Sequence, residues 1–187
     1  MNDIFRIVAF AGSLRRYSYN RGLLRAATER VPTGVEVRIF DLVSIPLYNA
    51  DVEAEGDPVP VKKFKEEIRA ADALLIAVPE YNYSVSGVLK NAVDWASRPV
   101  QTSVLKRKPV ALIGASQGAQ GTARAQLVLR QSFVFTECLV MPKPELYIPH
   151  ATEHFDAEGN LTSESLRQRL HTVVEALVAW SRKIKAE

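Results

Sequence analysis

The chain has 187 residues, of which 47% are hydrophobic and 24% are charged, and its formal net charge is +3. This length fits a single domain over residues 1–187 that can bury a sizeable core. The modest positive charge favours anionic small molecules and is too small for a nucleic-acid-binding surface, so we expect no nucleic-acid partner. No apolar stretch reaches the roughly 20 residues of a membrane-spanning helix, so we expect no membrane span.

Cysteine content and the N-terminus indicate a cytoplasmic protein. Cys138 is the only cysteine, which excludes an internal disulfide and fits a reducing compartment. Its neighbours are apolar, so we interpret it as a buried structural thiol rather than a reactive one. Residues 1–3 carry no basic side chain, and Arg6 interrupts the apolar run that follows. This start is typical of a first strand rather than of an export signal.

Strand-like and helix-like patterns alternate five times along the chain. Residues 73–78 are wholly apolar, which is typical of a central parallel strand. Residues 35–41 alternate apolar and charged side chains, which is typical of a half-exposed edge strand. In the loop over residues 43–60 we expect Leu47 and Tyr48 to point inward. In chain order we predict strand 5–12, helix 20–31, strand 35–41, loop 43–60, helix 61–71, strand 73–78, helix 86–97, loop 99–108, strand 109–114, helix 122–136, strand 139–141 and helix 162–185.

This alternation predicts an α/β fold with a five-stranded parallel sheet and helices on both faces. In such sheets, ligands bind beyond the carboxyl ends of the strands, at the point where the strand order reverses. Three turns that follow predicted strands carry unusual residues, and we expect them at this edge of the sheet.

The first turn combines several kinds of hydrogen-bond donor. Ser13 and Ser18 supply hydroxyls, beside the free N–H groups of a predicted helix start. Arg15 adds a charged fork and Asn20 an amide. The set favours a bound phosphate, although Ser18 or Asn20 can also cap a helix with no ligand present. The turn has neither the Gly-Lys-Ser/Thr ending of a Walker loop nor the three glycines of a dinucleotide fingerprint.

The second turn, Pro79-Glu80-Tyr81-Asn82-Tyr83, follows the most apolar strand and contains two aromatic side chains. Its backbone groups can hydrogen-bond the edge of a flat heteroaromatic ring while Tyr81 or Tyr83 packs nearby. A tyrosine-rich corner that fixes the loop or forms a subunit interface explains the same residues equally well. These residues alone leave both interpretations open.

The third turn begins with Gly114, and residues 114–118 match Gly-x-Ser-x-Gly, the nucleophile elbow of serine hydrolases. Asp156 and His171 are candidate partners for Ser116. The chain is short for that fold, however, and carries no His-Gly-type oxyanion loop. The glycines are also explained by a close approach of the backbone to a ring, which is the interpretation we favour.

Two histidines, His150 and His154, have a metal-like spacing, but no third ligand with a clear pattern lies near them. Residues 149–160 are typical of an exposed loop. We therefore expect no metal site.

The three turns belong to a longer pattern of residues. It comprises residues 12–15 (Gly-Ser-Leu-Arg) with Ser18 and Asn20, residues 79–84 (Pro-Glu-Tyr-Asn-Tyr-Ser) with Gly87, Leu89-Lys90-Asn91-Ala92 and Asp94-Trp95, and residues 114–118 (Gly-Ala-Ser-Gln-Gly) with Arg124-Ala125-Gln126. Over nearly the whole chain this pattern resembles the NADPH-dependent FMN reductase family of flavodoxin-like proteins, which includes bacterial quinone, chromate and azo-dye reductases. One departure is Gly121-Thr122-Ala123-Arg124, where relatives often show two adjacent glycines.

The resemblance implies a flavodoxin-like three-layer sandwich that binds FMN and uses NADPH or NADH as co-substrate. It implies that residues 13–20 hold the FMN phosphate and that the second turn lines the isoalloxazine ring, largely through its backbone. Ser116 would lie near the other side of the ring. The implied cofactor-binding residues are Ser13, Leu14, Arg15, Arg16, Tyr17, Ser18, Tyr19, Asn20, Pro79, Glu80, Tyr81, Asn82 and Ser116.

The implied activity is hydride transfer from NAD(P)H through bound FMN to a quinone or similar acceptor (flavin, azo dye, ferric chelate or chromate) by a ping-pong mechanism. The cofactor carries this chemistry, so we name no catalytic residue. The family also implies a homodimer or homotetramer. A flavodoxin-like electron carrier without its own substrate is one alternative, although carriers of this fold are usually acidic and this chain is basic. A serine hydrolase that uses Ser116 is the other.

Overall fold

A parallel β-sheet forms the centre of the structure, a computed structural model that describes residues 4–186. Residues 1–3, on which the expectation of no export signal partly rests, lie outside the described residues. The strands are β1 (Phe5–Ala11), β2 (Val35–Ile39), β3 (Ala73–Ala77), β4 (Glu80–Tyr81), β5 (Ser84–Val85), β6 (Pro109–Ala115), β7 (Leu139–Val140) and β8 (Leu146–Ile148). The helices are α1 (Tyr19–Glu29), α2 (Ala50–Ala54), α3 (Val59–Ala70), α4 (Gly87–Ala96), α5 (Ala123–Phe135) and α6 (Glu164–Ala186).

The main sheet has the order β2-β1-β3-β6-β7, with β8 also paired to β6, and all of these pairs are parallel. The predicted five-stranded parallel sheet is therefore confirmed, and β2 is an edge strand as its alternation predicted. The chain leaves β1 for β2 on one side and then crosses to β3 on the other. The strand order reverses between β1 and β3, which is the switch point of a flavodoxin-like sheet.

The last position of the sheet is shared by two short strands, where the sequence predicted only one. β7 pairs with the first two residues of β6, and β8 pairs with its last three. Pro142 and Pro144 lie between β7 and β8. Proline has no backbone N–H to donate to a sheet ladder, so the strand breaks here and resumes further on.

Helices cover both faces of the sheet and complete three layers. One core cluster contains residues of α1 and α6, and the other contains residues of α3, α4 and α5. Successive residues of β3 alternate between the two: Leu75 packs in the first cluster, and Leu74 and Ile76 pack in the second. A strand that faces two cores has to be apolar at every position, which explains the pattern of residues 73–78.

The predicted loop over residues 43–60 is more ordered than expected, because α2 and the first two residues of α3 lie within it. Leu47 does not point inward; its exposed fraction is 84%. The Pro46 carbonyl accepts hydrogen bonds from the side chains of Asn91 and Trp95, at 2.8 and 2.9 Å. The Tyr48 ring packs on Trp95 with centroids 5.0 Å apart. Neighbouring side chains in extended backbone point to opposite sides, so turning Tyr48 inward turns Leu47 outward.

Within residues 4–186, no helix is both long enough and apolar enough to cross a membrane.

Candidate active site

The three predicted turns meet at the carboxyl ends of β1, β3 and β6 and enclose a cleft of about 260 Å³. Nine of the predicted site residues line this cleft: Ser13, Arg15, Ser18, Tyr19, Asn20, Pro79, Glu80, Tyr81 and Ser116. Four others, Leu14, Arg16, Tyr17 and Asn82, lie in the same turns with exposed side chains outside the lining. Ala115 and Gln117 also line the cleft and were not predicted, although they flank Ser116 in the third turn.

The amino end of α1 opens into this cleft. Ser18 is the N-cap residue of α1, yet its side chain makes no capping hydrogen bond to the helix. The first turn of α1 also carries no acidic residue. Ser13 and Ser18 are nonetheless almost fully buried, with exposed fractions of 4% and 2%. Free helix N–H groups beside two buried hydroxyls form a site suited to an anion, so capping alone does not explain these serines.

Arginine side chains surround the mouth of the first turn and stack on tyrosine rings. The guanidinium carbon of Arg15 lies 5.2 Å from the ring centroid of Tyr19, and that of Arg16 lies 5.2 Å from the ring centroid of Tyr17. Of these two arginines, only Arg15 lines the cleft. A cation stacked at a surface is weakly held, so Arg15 is available to a bound anion.

The side-chain amide of Asn20 is hydrogen-bonded to the backbone of the protein. Its Nδ2 donates to the Ala115 carbonyl, and its Oδ1 accepts from the Ala115 N–H, each at 3.0 Å. The side chain therefore joins the start of α1 to the end of β6. One N–H of the amide remains for a ligand, because an asparagine amide has two.

The second turn is a β-hairpin, which the sequence analysis did not predict. β4 and β5 pair antiparallel through Glu80–Val85 and Tyr81–Ser84. Asn82 and Tyr83 form the two-residue loop, with φ of 50° and 64°. Such hairpin loops need positive φ at both positions and favour Asn-Gly. Asn82 fits that preference, but Tyr83 does not, so the usual sequence signal is only half present.

A hydrogen bond at the end of the hairpin fixes it to the first turn. The Ser86 hydroxyl donates to the Gly12 carbonyl at 2.6 Å and accepts from the Leu89 N–H at 3.2 Å, which caps α4. A Cβ atom at Gly12 would lie 2.7 Å from Ser86 Oγ and 2.9 Å from Pro79 Cδ. Glycine is therefore required at this position, because the first and second turns are in direct contact.

Tyr81 spans the cleft from the hairpin to the first turn. Its hydroxyl donates to Ser13 Oγ at 3.3 Å, and half of its side chain is exposed. Its phenol and the Ser13 hydroxyl thus lie side by side at the wall of the cleft, where both can contact the same ligand.

The Glu80 carboxylate turns away from this wall and contacts α5. It accepts hydrogen bonds from Arg124 Nε at 2.7 Å and from the N–H groups of Arg124 and Ala125, at 3.1 and 3.2 Å. The Arg124 guanidinium in turn stacks on Tyr83, 3.7 Å from the ring centroid. Neither Arg124 nor Ala125 was a predicted site residue. Glu80 and the start of α5 are far apart in the sequence, so no local sequence pattern could predict that they are paired.

The third turn has the glycine and serine spacing of a nucleophile elbow but not its partners. Ser116 Oγ accepts from the Gly118 N–H at 3.2 Å. His171 Nδ1 lies 3.1 Å from the Arg30 carbonyl, beyond the end of α1, and its Nε2 faces Glu175 at 3.4 Å. Ser116 lies beside the start of α1, and α1 is about 16 Å long. His171, beyond the other end of α1, is therefore far from Ser116. The serine and the histidine of a hydrolase are therefore not assembled.

The two histidines with metal-like spacing do not gather further ligands. Residues 4–186 contain no group of three or more His, Cys, Asp or Glu side chains close enough together to hold a metal ion. The loop that carries these histidines is also less exposed than predicted, because Ala151 and Phe155 are buried in it.

Comparison with known proteins agrees with the geometry of the cleft. The profile of the NADPH-dependent FMN reductase family matches residues 5–153. An NAD(P)H-dependent FMN reductase of Pseudomonas aeruginosa is 48% identical over 99% of this chain and 100% of its own length. A 2-hydroxy-1,4-benzoquinone reductase of a Burkholderia species is 44% identical over 95% of this chain and 96% of its own.

A solved structure is similar throughout. FerB, a flavoenzyme NAD(P)H:(acceptor) oxidoreductase from Paracoccus denitrificans, has a TM-score of 0.86 and 35% identity over 96% of this chain and 98% of that chain. The full-length similarity in sequence and in fold covers all three turns of the cleft. The chain therefore belongs to the NADPH-dependent FMN reductase family.

Proposed function

We propose that the chain is an FMN-dependent NAD(P)H oxidoreductase that reduces quinones by a ping-pong cycle. The observation that carries this proposal is the cleft at the switch point. On one side the uncapped start of α1 meets the buried hydroxyls of Ser13 and Ser18, and on the other side the hairpin presents backbone and Tyr81. These two sides match the phosphate and the ring of FMN.

The residues of the cleft fit FMN in their chemistry. The N–H groups of α1 and the two serine hydroxyls bind a phosphate, and the Arg15 cation adds charge complementarity. Backbone groups of Glu80, Tyr81 and Asn82 would hold the isoalloxazine ring on one side, and Ser116 would lie near its other side. Glycine at the third turn allows the backbone to come close to a flat ring.

Bound in this cleft, FMN would supply two-electron chemistry between NAD(P)H and a quinone, which with protons becomes a hydroquinone. The chain itself binds and orients. Backbone N–H groups of the hairpin favour negative charge on the reduced ring by fixed electrostatics. The basic mouth of the cleft attracts the phosphates of the nicotinamide dinucleotide.

The ping-pong order is part of this proposal. It requires NAD(P)H and the quinone to use the same face of the bound flavin one after the other. Parallel lines in double-reciprocal plots at several quinone concentrations are the expected kinetic pattern.

A spectral experiment separates this function from its alternatives. We expect purified protein to bind FMN, to lose its visible flavin absorbance when NADPH or NADH is added without oxygen, and to regain it on addition of benzoquinone. A flavin that stays yellow with both nicotinamides indicates an electron carrier. A colourless protein that hydrolyses activated esters indicates a hydrolase.

We further propose that the protein works as a homodimer or homotetramer in the cytoplasm. Leu127, Val134 and Phe135 form an apolar stripe on the outer side of α5, with exposed fractions of 59%, 79% and 70%. Exposed apolar patches of this kind favour association. Sedimentation velocity of the purified protein tests the assembly, and a monomer at all concentrations contradicts it. The buried thiol of Cys138 and the use of NAD(P)H support the location.

A further inference from the structure

The Glu80 carboxylate, beside the cleft, accepts several hydrogen bonds from the start of α5. It accepts three hydrogen bonds, one from the Arg124 side chain and two from backbone N–H groups of Arg124 and Ala125. The exposed fraction of its side chain is 7%. A buried carboxylate is stable only if it is paired and hydrogen-bonded, and these contacts supply both.

The acceptors at the start of α5 come from outside the helix. Thr122, its N-cap residue, makes no side-chain capping hydrogen bond to the backbone N–H groups of the helix, and the first turn of α5 carries no acidic residue. Glu80 therefore caps α5 from 44 positions earlier in the chain. A carboxylate at a helix N-terminus is favoured by the partial positive charge of the N–H groups there.

The hairpin that contains Glu80 depends on such contacts for its position. β4 and β5 form a separate two-stranded sheet with only two residue pairs. A short isolated hairpin is at best marginally stable by itself. Its entry is held by Glu80 on α5, and its exit is held by Ser86 on the Gly12 carbonyl.

The tip of the hairpin has a conformation that also requires support. Tyr83 has a φ of 64°, a left-handed value that is unfavourable for a bulky side chain. The Arg124 guanidinium covers its ring at 3.7 Å while it is paired with Glu80. Glu80, Arg124 and Tyr83 therefore form one connected unit that fixes the backbone of the hairpin over the cleft.

We propose that Glu80 is a positioning residue of the flavin site, which acts by capping α5 rather than by contact of its carboxylate with the ring. The cap fixes the backbone of residues 80–82, on which the ring edge rests. Its negative charge, balanced by Arg124, also sets the electrostatic potential at the ring. This inference rests on the proposed function, because it assigns a role within that same cleft.

Two substitutions test the negative charge of Glu80 and the positive charge of its partner one at a time. Glu80→Gln keeps the size of the side chain and one acceptor oxygen but removes the charge. Arg124→Gln removes the paired cation while leaving both backbone N–H groups that Glu80 caps. Glu137→Gln is the matched control: Glu137 forms an exposed ion pair with Lys106 at 3.1 Å, beside the start of β6. The cleft lies past the other end of that seven-residue strand, about 23 Å away.

FMN affinity and the midpoint potential of bound FMN are the two readouts. We expect Glu80→Gln to weaken FMN binding about tenfold, because a charged cap is lost, and Arg124→Gln to weaken it less. We expect the potential to become less negative in Glu80→Gln, where a negative charge beside the ring is removed. It becomes more negative in Arg124→Gln, where a positive charge is removed. A purely structural role changes affinity without these opposite shifts.

The outcomes distinguish this inference from the function on which it rests. If the unsubstituted protein binds no FMN, the proposed function and the inference both fail. If it binds FMN and is bleached by NAD(P)H, but Glu80→Gln matches Glu137→Gln in affinity and in potential, the inference alone fails. Shifts of the same sign in Glu80→Gln and Arg124→Gln also overturn it. Thermal unfolding of the FMN-free variants verifies that each is folded when it is measured.

Discussion

The side chain of Asn20 continues the sheet where a strand has ended. β3 pairs with β6 as far as the pair Ala77–Ile113, and two residues further along β6 the Asn20 amide exchanges both hydrogen bonds with Ala115. An amide has the same donor and acceptor as a peptide group, so it substitutes for the missing strand residue. The start of α1, which faces the phosphate position, is thereby fixed to the third turn.

Replacement of Asn20 by alanine is expected to destabilise the fold. Both backbone groups of Ala115 lose their partner in a buried place, for which we expect a loss of about 2 to 4 kcal/mol in the free energy of unfolding. Urea denaturation of the FMN-free protein measures this. Asn20→Asp keeps one hydrogen bond but places a carboxylate against the Ala115 carbonyl and near the phosphate. In Asn20→Asp, the loss in the free energy of FMN binding should therefore be larger than the loss in the free energy of unfolding. A wild-type unfolding midpoint in Asn20→Ala contradicts the prediction.

The two outer glycines of Gly-x-Ser-x-Gly are expected to respond differently to the same substitution. A Cβ at Gly114 would lie 2.0 Å from Thr122 Oγ1 and 2.6 Å from the Val78 carbonyl oxygen, whereas a Cβ at Gly118 would have its nearest neighbour, Ser116 Oγ, at 3.7 Å. We expect Gly114→Ala to lower stability by about 2 to 3 kcal/mol through overpacking. Gly118→Ala should change stability by less than about 0.5 kcal/mol, as exposed sites usually do.

Differential scanning calorimetry of both variants, with and without FMN, tests this contrast. Equal losses in Gly114→Ala and Gly118→Ala are inconsistent with the packing described. A similar tolerance at both positions would show that the third turn can move away from α5.

The Asp156 carboxylate is expected to make the fold sensitive to acid. Hydrogen bonds from the backbone and side chain of Asn160 hold the pKa of Asp156 below its ordinary value of 3.8. The same loop supports the first turn, since a Cβ at Gly159 would lie 2.7 Å from the Tyr17 carbonyl oxygen. Because the folded pKa is the lower one, Asp156 contributes stability above about pH 4. This contribution disappears as the pH falls through the folded pKa.

Denaturation of wild type and Asp156→Ala from pH 7 down to acid measures this contribution. The difference in stability between the two proteins should be constant near neutrality and vanish below the lowered pKa. A difference that grows on acidification contradicts the assignment.

Cys138 is expected to be unreactive in the folded protein. Burial raises the pKa of its thiol to about 12, and the group donates to the Lys108 carbonyl at 3.4 Å. At pH 8 the thiolate, which is the reactive form, is then present in about one molecule in ten thousand. We expect no reaction with Ellman's reagent over minutes in native buffer and one equivalent in guanidinium chloride. Rapid modification of the native protein contradicts the buried assignment.

Local patterns were sufficient for the layers of the fold and for the turns of the site. The apolar run at residues 73–78 and the alternation at residues 35–41 are consequences of burial on two faces and on one face. Burial of this kind leaves a period in the sequence that does not depend on distant residues. Because parallel strands end at a common edge, the pattern of strands and turns also predicts that Ser13, Tyr81 and Ser116 lie together.

Contacts between distant segments could not be predicted in this way. The hairpin at residues 80–85 has a loop of Asn82 and Tyr83 with left-handed conformations, and Arg124 from α5 covers the ring of Tyr83, whose conformation has no local preference behind it. The outward position of Leu47 depends on where Asn91 and Trp95 bind the Pro46 carbonyl. Such pairings join residues more than 40 positions apart, and no local period records them.

The sequence by itself determined the fold class and the three turns that form the cleft, because each depends on short-range patterns of burial and on local donor sets. The family was indicated by the resemblance of its motifs. Only the tertiary structure decided what individual polar groups do there. The Asn20 amide is hydrogen-bonded to Ala115, and the Glu80 carboxylate is hydrogen-bonded to the start of α5, whereas the Ser18 side chain does not cap α1. Whether a donor is free for a ligand depends on which partner the fold places beside it, and that partner comes from a distant segment of the chain.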